Sequence, residues 1–410
     1  MSILDQPKWD VVIAGGGPAG FFAAIRCAEL NLNLKILILE RASRTLGKVI
    51  ISGGGRCNVT HACFDPAKLI TFYPRGGNEL RGVFTRFQPK DTVEWFESRG
   101  VKLKTESDGR LFPITDDSNT IAECLRESAR KAGVKVQIGA SLLNVGKSPG
   151  GGFQLEVRKE AKAFHLQTKK LVIATGSDRK TLELVKALGH AIIDPVPSLF
   201  TFNIKDKRID GLAGVSVEDV TLKMDSVITR GALLITHWGL SGPAVLRCSA
   251  WGARILFKKK YASSLTVNWL GDYKPDAALE VLTRNKEWKE NARKKVSSAP
   301  AFSQIPIRLW KQLVSIVGEK NWADLSKAEL RKLAEELTAG EFQIQGKGQF
   351  KEEFVTAGGV NLKEVDFKTL QSRIVNGLYF AGEVLDIDGI TGGFNFQSSW
   401  TTGWIAGSSS

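Results

Sequence analysis

The most regular hydrophobic pattern in the chain consists of two apolar runs with a helix-forming segment between them. Residues 11–14 and 36–39 are uninterrupted apolar runs of strand length, and residues 21–30 between them form a run of good helix formers. Short, fully apolar strands are typical of a parallel sheet that is covered on both faces. The pattern therefore predicts a strand–turn–helix–strand unit at the start of an α/β domain.

Three glycines in the turn of this unit predict a dinucleotide site. Gly15 permits the tight turn, Gly17 leaves space in which backbone N–H groups approach a pyrophosphate, and Gly20 lets helix and strand pack closely. The helix N-terminus would face the phosphates, and Glu40 after the second strand can accept hydrogen bonds from a ribose. The alternative is an ordinary βαβ unit without a ligand, but the combination of strand, turn, helix and acid favours the binding site.

The segment that follows, residues 41–64, is rich in glycine and polar residues and is predicted to be neither helix nor strand. Gly53, Gly54 and Gly55 in succession imply a backbone that lies close to a flat or bulky group. The apolar residues 49–51 are expected to anchor the segment inside the protein. The alternative is a surface loop with a glycine hinge.

Helices and strands alternate up to residue 194. Residues 92–100 have a helical pattern, and Thr120 with Glu123 has the form of a capping box, at the start of a helix that ends near Gly133. Further strands are predicted at 134–138, 153–157, 164–166 and 171–174. This part of the chain is therefore expected to be α/β with a small antiparallel excursion.

The character of the chain changes at residue 195. Residues 195–197, Pro-Val-Pro, are predicted to be a linker, strand-like segments continue to about residue 270, and helices follow. Ser326 and Glu329 form a second capping box, before a helix with one apolar face. The predicted domains are the N-terminal part of the α/β domain (1–194), an insert (195–341) with a β subdomain (195–271) and a helical subdomain (272–341), and the C-terminal part of the α/β domain (342–410).

A second binding corner is predicted near the C-terminus, where α/β character returns from about Phe354. Residues 378–381 form a predicted strand that ends in a Gly-acid turn, and a final helix is expected to start near Ser398 or Thr401. Such a corner binds anions and hydroxyl groups. A ligand that contacts both ends of the chain is long, which favours FAD over NAD, and no second fingerprint indicates a separate NAD(P)H domain.

Charge and cysteine usage narrow the class of protein. The 410 residues carry a formal net charge of +14, which is compatible with nucleic acid, an anionic cofactor or an anionic substrate as a partner. Five scattered cysteines without C-x-x-C pairs argue for reduced thiols in the cytoplasm and against a zinc site. No secretory signal and no apolar run long enough to cross a bilayer is visible, and the sequence does not specify an oligomeric state.

Four sequence runs together resemble one flavoprotein family. The runs are GKVIISGGGRCNVT (47–60), HWGLSGPAVL (237–246), TAGGV (356–360) and GLYFAGEVLDIDGITGGFN (377–395). Over nearly its whole length the chain is similar to the aminoacetone-oxidase family of FAD-binding proteins, which includes the BaiN-like bile-acid reductases. The resemblance implies an α/β fold class, with a Rossmann-like FAD-binding domain split between both termini and an inserted β-barrel-like plus helical domain.

The same resemblance implies which residues hold FAD, with the pyrophosphate on the glycine turn and the flavin ring near residues 52–58. The loop after Gly176 is shorter than in most members, so no substrate is carried over from the bacterial relatives. The implied FAD-binding residues are Gly15, Gly17, Pro18, Ala19, Gly20, Glu40, Arg41, Lys48, Ser52, Gly54, Gly55, Arg56, Asn58, Thr175, Gly176, Gly382, Glu383, Asp386, Gly393, Phe394 and Asn395.

Three residues are candidates for catalysis. Arg56 can stabilise negative charge on a reduced flavin, or can simply bind a carboxylate. Cys57 can lie near the flavin, or can be a small buried residue that only packs. His237 can donate a hydrogen bond to a substrate carbonyl, or can be a structural histidine. Because a flavin itself carries hydride chemistry, the protein needs to supply only orientation and electrostatics.

The sequence therefore predicts a FAD-dependent oxidoreductase. It would transfer a hydride between a small organic substrate and flavin, with NAD(P)H as a transient co-substrate or oxygen as the second partner. One alternative is a flavoenzyme that acts on RNA, because residues 284–296 are basic and Trp288 beside them can stack on a base; a solvated helix face explains this segment more simply. Another alternative is a flavin-binding regulatory protein without turnover.

Overall fold

The computed structural model describes residues 7–148, 150–348 and 355–410. Contacts divide the chain into two compact units: the first combines residues 1–195 and 355–410, and the second comprises residues 196–354. The chain therefore leaves the first unit once and later returns to it. None of the helices in the described ranges is both long enough and apolar enough to cross a membrane.

The N-terminal part of the first unit contains the glycine turn, and its last strand crosses the boundary between the two units. In chain order the elements are β1 (Lys8–Ala14), α1 (Pro18–Leu30), β2 (Ile36–Leu39), α2 (Gly47–Gly55), β3 (Thr60–His61), α3 (Pro66–Leu69), α4 (Gly77–Phe84), α5 (Pro89–Glu97), β4 (Leu103–Thr105), β5 (Arg110–Pro113), α6 (Ser118–Lys131), β6 (Lys135–Gln137), β7 (Ala140–Lys147), β8 (Phe153–Lys159), β9 (Lys162–Ile173), α7 (Arg179–Ala187) and β10 (Ile192–Ser198).

The second unit and the C-terminal part of the first unit complete the fold. The elements of the second unit are β11 (Phe202–Asn203), β12 (Ser216–Met224), β13 (Val227–Thr236), β14 (Gly239–Ser241), α8 (Pro243–Trp251), α9 (Ala253–Lys258), β15 (Ser263–Asn268), α10 (Pro275–Glu287), α11 (Lys289–Ala292), α12 (Ile307–Leu313), α13 (Lys327–Ala339), β16 (Gly340–Ile344) and β17 (Gly346–Lys347). The C-terminal part adds β18 (Val355–Val360), β19 (Val365–Asp366), β20 (Gln371–Ser372), β21 (Leu378–Phe380) and α14 (Phe394–Ser409).

The main sheet of the first unit has five neighbouring parallel strands in the order β21-β9-β1-β2-β6. Ala14, the last residue of β1, pairs with both Leu39 and Ile173, which end β2 and β9. Phe380, which ends β21, also pairs with Ile173. The carboxyl ends of β1, β2, β9 and β21 therefore meet at one edge of the sheet. In a doubly wound α/β sheet this edge is where ligands bind.

Strand β9 replaces two separate predicted strands. Its first half pairs antiparallel with β8, from Lys162 opposite Lys159 to Thr168 opposite Phe153, and its second half lies parallel to β1 and β21. The antiparallel excursion and the central parallel strand are thus one continuous twelve-residue strand. The alternating pattern of its first half reflects one exposed face, whereas its second half is buried on both faces.

Helices α1 and α14 pack closely on one another, and they come from opposite ends of the chain. A Cβ atom on Gly403 would lie 2.5 Å from the carbonyl oxygen of Ala19, and one on Gly407 would lie 2.3 Å from that of Ala23. Only glycine permits this approach of the two backbones. The C-terminal residues are therefore a structural part of the α/β domain.

The second unit is built on a seven-stranded antiparallel sheet in the order β16-β15-β12-β13-β14-β11-β17. Among the described residues the pairing order is open, so the unit is a sheet with helices packed on it and not a closed barrel. Trp269, Trp310 and Trp322 are fully buried in its core. The capping box at Ser326 is confirmed, because its hydroxyl accepts from the Glu329 N–H and the Glu329 carboxylate accepts from the Ser326 N–H.

The α/β fold class is confirmed, but two local predictions around the second unit are wrong. The predicted linker at 195–197 lies inside β10, which pairs with β18; proline is tolerated in a short two-stranded sheet of this kind because one side of each strand needs no N–H donor. The all-strand region 199–270 contains α8 and α9, because Pro243 fits the first turn of a helix. The predicted restart near Phe354 falls outside the described residues.

Helix boundaries also differ from the prediction, since α5 spans Pro89–Glu97 and not 92–100, and part of a segment predicted to be irregular is helical. Helix α6 is capped by Asp117, whose carboxylate accepts from the Asn119 N–H, and the Thr120 of the predicted capping box lies inside the helix. Helix α14 starts at Phe394 and not near Ser398 or Thr401. The segment 47–55 is helical at its start, with Val49 buried, although Ile51 of the expected anchor is 47% exposed.

Candidate dinucleotide-binding site

The three glycines of the fingerprint are required for different reasons. Gly15 has a φ of +114°, and a Cβ atom there would lie 2.3 Å from the carbonyl oxygen of Ala174. A Cβ atom on Gly20 would lie 2.0 Å from the carbonyl oxygen of Gly15, whereas one on Gly17 would meet nothing within 4 Å. The fold itself therefore requires Gly15 and Gly20. Gly17 faces open space at the N-terminus of α1, where a phosphate can approach.

Glu40 ties the end of β2 to the glycine turn. One of its carboxylate oxygens accepts a hydrogen bond from the Gly16 N–H (2.8 Å), and the other accepts one from the Ala42 N–H (2.7 Å). A carboxylate has about four lone-pair sites, so acceptor capacity remains for a ribose hydroxyl. Glu40 therefore positions the turn as well as lying where the sequence predicts a ribose.

Three predicted binding residues from distant segments meet beside the turn. Lys48 on α2 forms an ion pair with Glu383, which follows β21 and is largely buried. A Cβ atom on Gly176, which has a φ of +63°, would lie 3.5 Å from the same Glu383 carboxylate. Gly382 lies against α1, because a Cβ atom there would come within 2.9 Å of the Cβ of Ala19. The N-terminal and C-terminal binding corners are thus parts of one site.

The hydroxyl of Thr175 is a buried polar group beside the glycine turn. Its oxygen is buried at the carboxyl end of β9 and has no hydrogen-bond partner among the described residues. An unsatisfied buried polar group destabilises a protein by about 1–3 kcal/mol. A bound ligand with a hydrogen-bonding group at this position would remove that penalty.

The triple-glycine segment leaves open backbone at the end of α2. Gly53, Gly54 and Gly55 have φ values of +58°, +67° and +85°, and Cβ atoms on Gly54 or Gly55 would meet nothing within 4 Å. Ser52 breaks the helix with a ψ of 151°, and its hydroxyl donates to the Val49 carbonyl. The left-handed conformation explains the glycines, and their exposure leaves room for a flat group.

The C-terminal glycine loop is held from several sides. The Asn58 side-chain amide lies 3.0 Å from both the Thr60 carbonyl and the Gly393 N–H. Phe394 stacks on His61, with ring centroids 4.8 Å apart. The side-chain amide of Asn395 is engaged within the protein, because it exchanges two hydrogen bonds with the Gly389 backbone. Asn58, Phe394 and Asn395 therefore shape the loop in which Gly393 lies.

A buried ion pair that the sequence analysis did not identify anchors the same loop. Asp388 is fully buried and pairs with Arg75 through two hydrogen bonds. Breaking such a pair by removing one partner typically destabilises a protein by about 3–5 kcal/mol. The sequence analysis named the neighbouring Asp386 instead. The D-x-D-G run gave a signal for an acid here, but no local spacing could identify a partner 313 residues away.

The three predicted catalytic residues belong to different units, Arg56 and Cys57 to the first and His237 to the second. Arg56 donates to Glu106 (2.8 Å) and lies near Asp116 (3.4 Å), so its charge is already matched. Cys57 is fully buried, and burial raises the pKa of its thiol to about 12. His237 belongs to the second unit, where it is exposed in the turn between β13 and β14. Arg41, predicted beside the ribose, pairs with Asp178 at the start of α7.

The glycine turn, the acid after β2 and the meeting of four strand ends define a Rossmann-type dinucleotide-binding protein. The profile of the family described as HI0933-like protein Rossmann domain matches residues 9–409, so the chain belongs to the HI0933-like family. This confirms the flavoprotein family that the sequence runs indicated.

Two relatives of similar sequence are named for different activities. The chain is 27% identical to the ribosomal RNA dihydrouridine synthase of Escherichia coli, over 97% of this chain and 96% of that protein. It is also 27% identical to the 3-dehydro-bile acid delta(4,6)-reductase of Clostridium scindens, over 96% of this chain and 97% of that protein. The similarity extends over both units in each case.

Solved structures with low sequence identity share the fold. The 3-ketosteroid-delta4-(5alpha)-dehydrogenase of Rhodococcus jostii RHA1 is 14% identical, with a TM-score of 0.54, and the similarity covers 100% of this chain and 98% of that one. The 3-ketosteroid delta1-dehydrogenase of Sterolibacterium denitrificans is 10% identical, with a TM-score of 0.51 over 98% of this chain and 99% of that one. These likenesses support the fold class alone.

Proposed function

We propose that the protein is a FAD-dependent oxidoreductase that exchanges a hydride with a carbon–carbon double bond next to a carbonyl group in a small organic substrate. The observation that carries the proposal is the open space around Gly17 at the N-terminus of α1. Gly15 and Gly20 on either side of it lie against protein backbone, whereas Gly17 does not. When bound, FAD supplies the hydride chemistry at its flavin ring. The chain supplies binding, orientation and electrostatics.

The residues at the strand ends fit a long dinucleotide. The N-terminus of α1 and the space beside Gly17 would hold the pyrophosphate, and Glu40 would accept from the adenosine ribose. The unpaired Thr175 hydroxyl would hydrogen-bond to the cofactor. The exposed glycine segment 53–55 would lie against a flat ring, and the Lys48–Glu383 pair would keep the two ends of the site together.

The substrate class is inferred from the chemistry that the activities of two relatives share. A dihydrouridine is a uridine whose ring double bond, next to a carbonyl, has been reduced. A 3-dehydro-bile acid delta(4,6)-reductase acts on double bonds conjugated to a 3-keto group. A double bond polarised by a carbonyl accepts a hydride readily, so the common reaction is reduction of an activated alkene. We infer the same reaction class for this chain.

The roles of Arg56, Cys57 and His237 stay predictions from the sequence. Arg56 is the best placed of the three, because it follows the open glycine segment and is partly exposed. Its two carboxylate partners reduce the net charge it can offer to a reduced flavin. Cys57 fits the packing alternative better, since a thiol with a pKa of about 12 stays protonated at neutral pH.

The test begins with the purified protein. It should be yellow and release FAD, not FMN, on denaturation. Under anaerobic conditions NADH or NADPH should bleach the flavin, and either air or a 3-keto-4-ene steroid should restore the colour. Because no second dinucleotide fingerprint is visible, we expect the pyridine nucleotide to leave before the acceptor enters, which gives parallel double-reciprocal lines. A colourless protein that FAD cannot reconstitute would exclude the proposal.

A second candidate is the same reduction carried out on a uridine in RNA. It is supported by two relatives that are ribosomal RNA dihydrouridine synthases and by the net charge of +14. The two candidates share the flavin site and differ in the acceptor. If unmodified ribosomal RNA reoxidises the reduced protein and gains dihydrouridine while the steroid has no effect, the RNA substrate replaces the small molecule.

A further inference from the structure

The second unit contains a long stretch without any acidic residue. Between Asp225 and Asp272 the chain has six lysines or arginines and no aspartate or glutamate. Helices α8 and α9 occupy the middle of this stretch, separated by Gly252 alone. They comprise nine and six residues. No other acid-free run in the described part of the second unit contains as many basic residues.

Three basic residues of this stretch have no carboxylate partner among the described residues: Arg247, Lys258 and Lys260. Arg247 donates only to a backbone carbonyl, that of Arg230 (3.2 Å), and Lys258 and Lys260 form no ion pair within the described ranges. By contrast, Lys259 between them is neutralised by Asp225. The surface therefore keeps unbalanced positive charge.

Two large aromatic side chains are exposed on the same helices. Trp251, at the end of α8, is 44% exposed, and Phe257, near the end of α9, is 49% exposed. Trp251 lies one turn after Arg247 on α8, and Phe257 and Lys258 follow on α9, beyond the break at Gly252. We call Arg247, Trp251, Phe257, Lys258 and Lys260 the α8–α9 face. Exposed rings among unpaired cations are the combination that binds unpaired bases and their phosphates.

The apolar side of both helices is already used by the fold. Val245, Cys248, Ala253 and Leu256 are fully buried in the second unit. Insertion into a membrane surface needs a continuous apolar helix face, and here that face packs on the sheet. The exposed side of the two helices therefore carries cations and two aromatic rings that are not part of a continuous apolar surface. This fits stacking on nucleotide bases better than insertion into lipid.

The basic segment 284–296 that the sequence analysis selected is less suitable. Arg284 pairs with Glu280 (3.4 Å) and Lys295 pairs with Glu319 (3.2 Å). Lys286 donates to a backbone carbonyl. Glu287 and Glu290 also flank the exposed Trp288. Two of the six basic residues of this segment thus form ion pairs, and the segment carries two acids of its own, so its net positive charge is lower than its number of basic residues.

We propose that the α8–α9 face binds single-stranded nucleic acid, with Trp251 and Phe257 stacking on bases and with Arg247, Lys258 and Lys260 contacting phosphates. The proposal goes beyond the function above and does not depend on it, because it concerns a surface of the second unit and not the flavin site. The face would give the protein affinity for unpaired nucleotides whether or not they are its substrate.

The experiment measures binding of the full-length protein to labelled oligouridylate and oligothymidylate by fluorescence anisotropy over a series of salt concentrations. Each phosphate contact in a single strand contributes about −0.7 to the slope of log K against log salt. The Lys258→Gln/Lys260→Gln variant should therefore lower the magnitude of the slope by about 1.4. The Trp251→Ala/Phe257→Ala variant should weaken binding at least about tenfold with little change of slope. The tighter of the two oligonucleotides identifies RNA or DNA as the ligand.

The matched control is Lys289→Gln/Lys294→Gln, which removes the same charge from the other basic segment. It should leave the slope close to that of the unchanged protein. All substituted side chains are exposed, and thermal unfolding of each variant checks that it is folded. Equal losses in both lysine variants, or no measurable binding by the unchanged protein at low salt, would overturn the proposal. So would a loss of binding to phosphatidylserine vesicles in the ring variant without any loss of oligonucleotide binding.

Discussion

Gly17 and Gly20 lie three residues apart in one turn, yet one serves the ligand and the other serves the fold. Gly20 closes the contact between α1 and the end of β1, where no side chain fits. Gly17 has space around it that the protein does not fill. At the residue scale, the fingerprint therefore combines a packing requirement with a binding requirement, and the two can be separated by substitution.

Gly17→Val should abolish FAD binding while the apoprotein stays folded. The added side chain fills the space for the pyrophosphate, and its Cβ atom meets no protein atom within 4 Å, so the free energy of unfolding should fall by about 1 kcal/mol or less, through loss of a favourable N-cap residue. Gly20→Ala is the matched control and should destabilise the apoprotein by about 1–3 kcal/mol. FAD titration and urea unfolding of both variants measure the difference. Equal destabilisation by both substitutions would contradict this division of roles.

At the element scale, a buried histidine joins helix α7 to the hairpin β19–β20. His190 follows α7; one ring nitrogen lies 3.0 Å from the Glu364 carboxylate and the other lies 2.8 Å from the Ser372 hydroxyl. That hydroxyl already accepts from two backbone N–H groups, of Ile374 and Val375, so it can donate to the ring. The network therefore fits a neutral imidazole that donates to Glu364 and accepts from Ser372.

This network predicts a pH dependence of stability. Burial lowers the pKa of His190 despite the opposing effect of Glu364. Below an unfolded-state pKa of about 6.5, the unfolded chain binds a proton that the folded protein does not. The stability is therefore complete above pH ~6.5 and should decline as the pH falls towards the lowered folded-state pKa. Urea unfolding between pH ~7.5 and ~5 should show a smaller decline for His190→Gln. Identical pH profiles would remove His190 as the cause.

At the scale of the whole molecule, the chain leaves the first unit after β10 and returns at β18. The two strands pair, and a Cβ atom on Gly358 would lie 2.6 Å from the carbonyl oxygen of Asp194. The exit and return points are therefore adjacent within the first unit. The predicted FAD-binding residues all lie in that unit, as does the buried Arg75–Asp388 pair.

Replacement of residues 196–354 by a short glycine–serine linker should give a folded protein that still binds FAD. The first unit has its own sheet and core, and the linker has only to join adjacent strands. The shortened chain should be yellow, and its Gly17→Val variant should be colourless. Circular dichroism and FAD release measure both. A shortened chain that is insoluble in every linker length would show that the second unit is needed for folding of the first.

The sequence alone determined the strand–turn–helix–strand unit, the fingerprint glycines, Glu40, the β21 corner, the flavoprotein family and the α/β fold class. These features are encoded by spacing and burial within short segments, where backbone sterics and periodicity decide the structure. Only the tertiary structure decided that 195–197 is a strand and that Asp388 needs Arg75. It also decided that Glu40 binds Gly16, that Arg56 is paired with acids and that the buried Thr175 hydroxyl has no hydrogen-bond partner among the described residues. Those features depend on contacts between residues far apart in the chain, which no local pattern records.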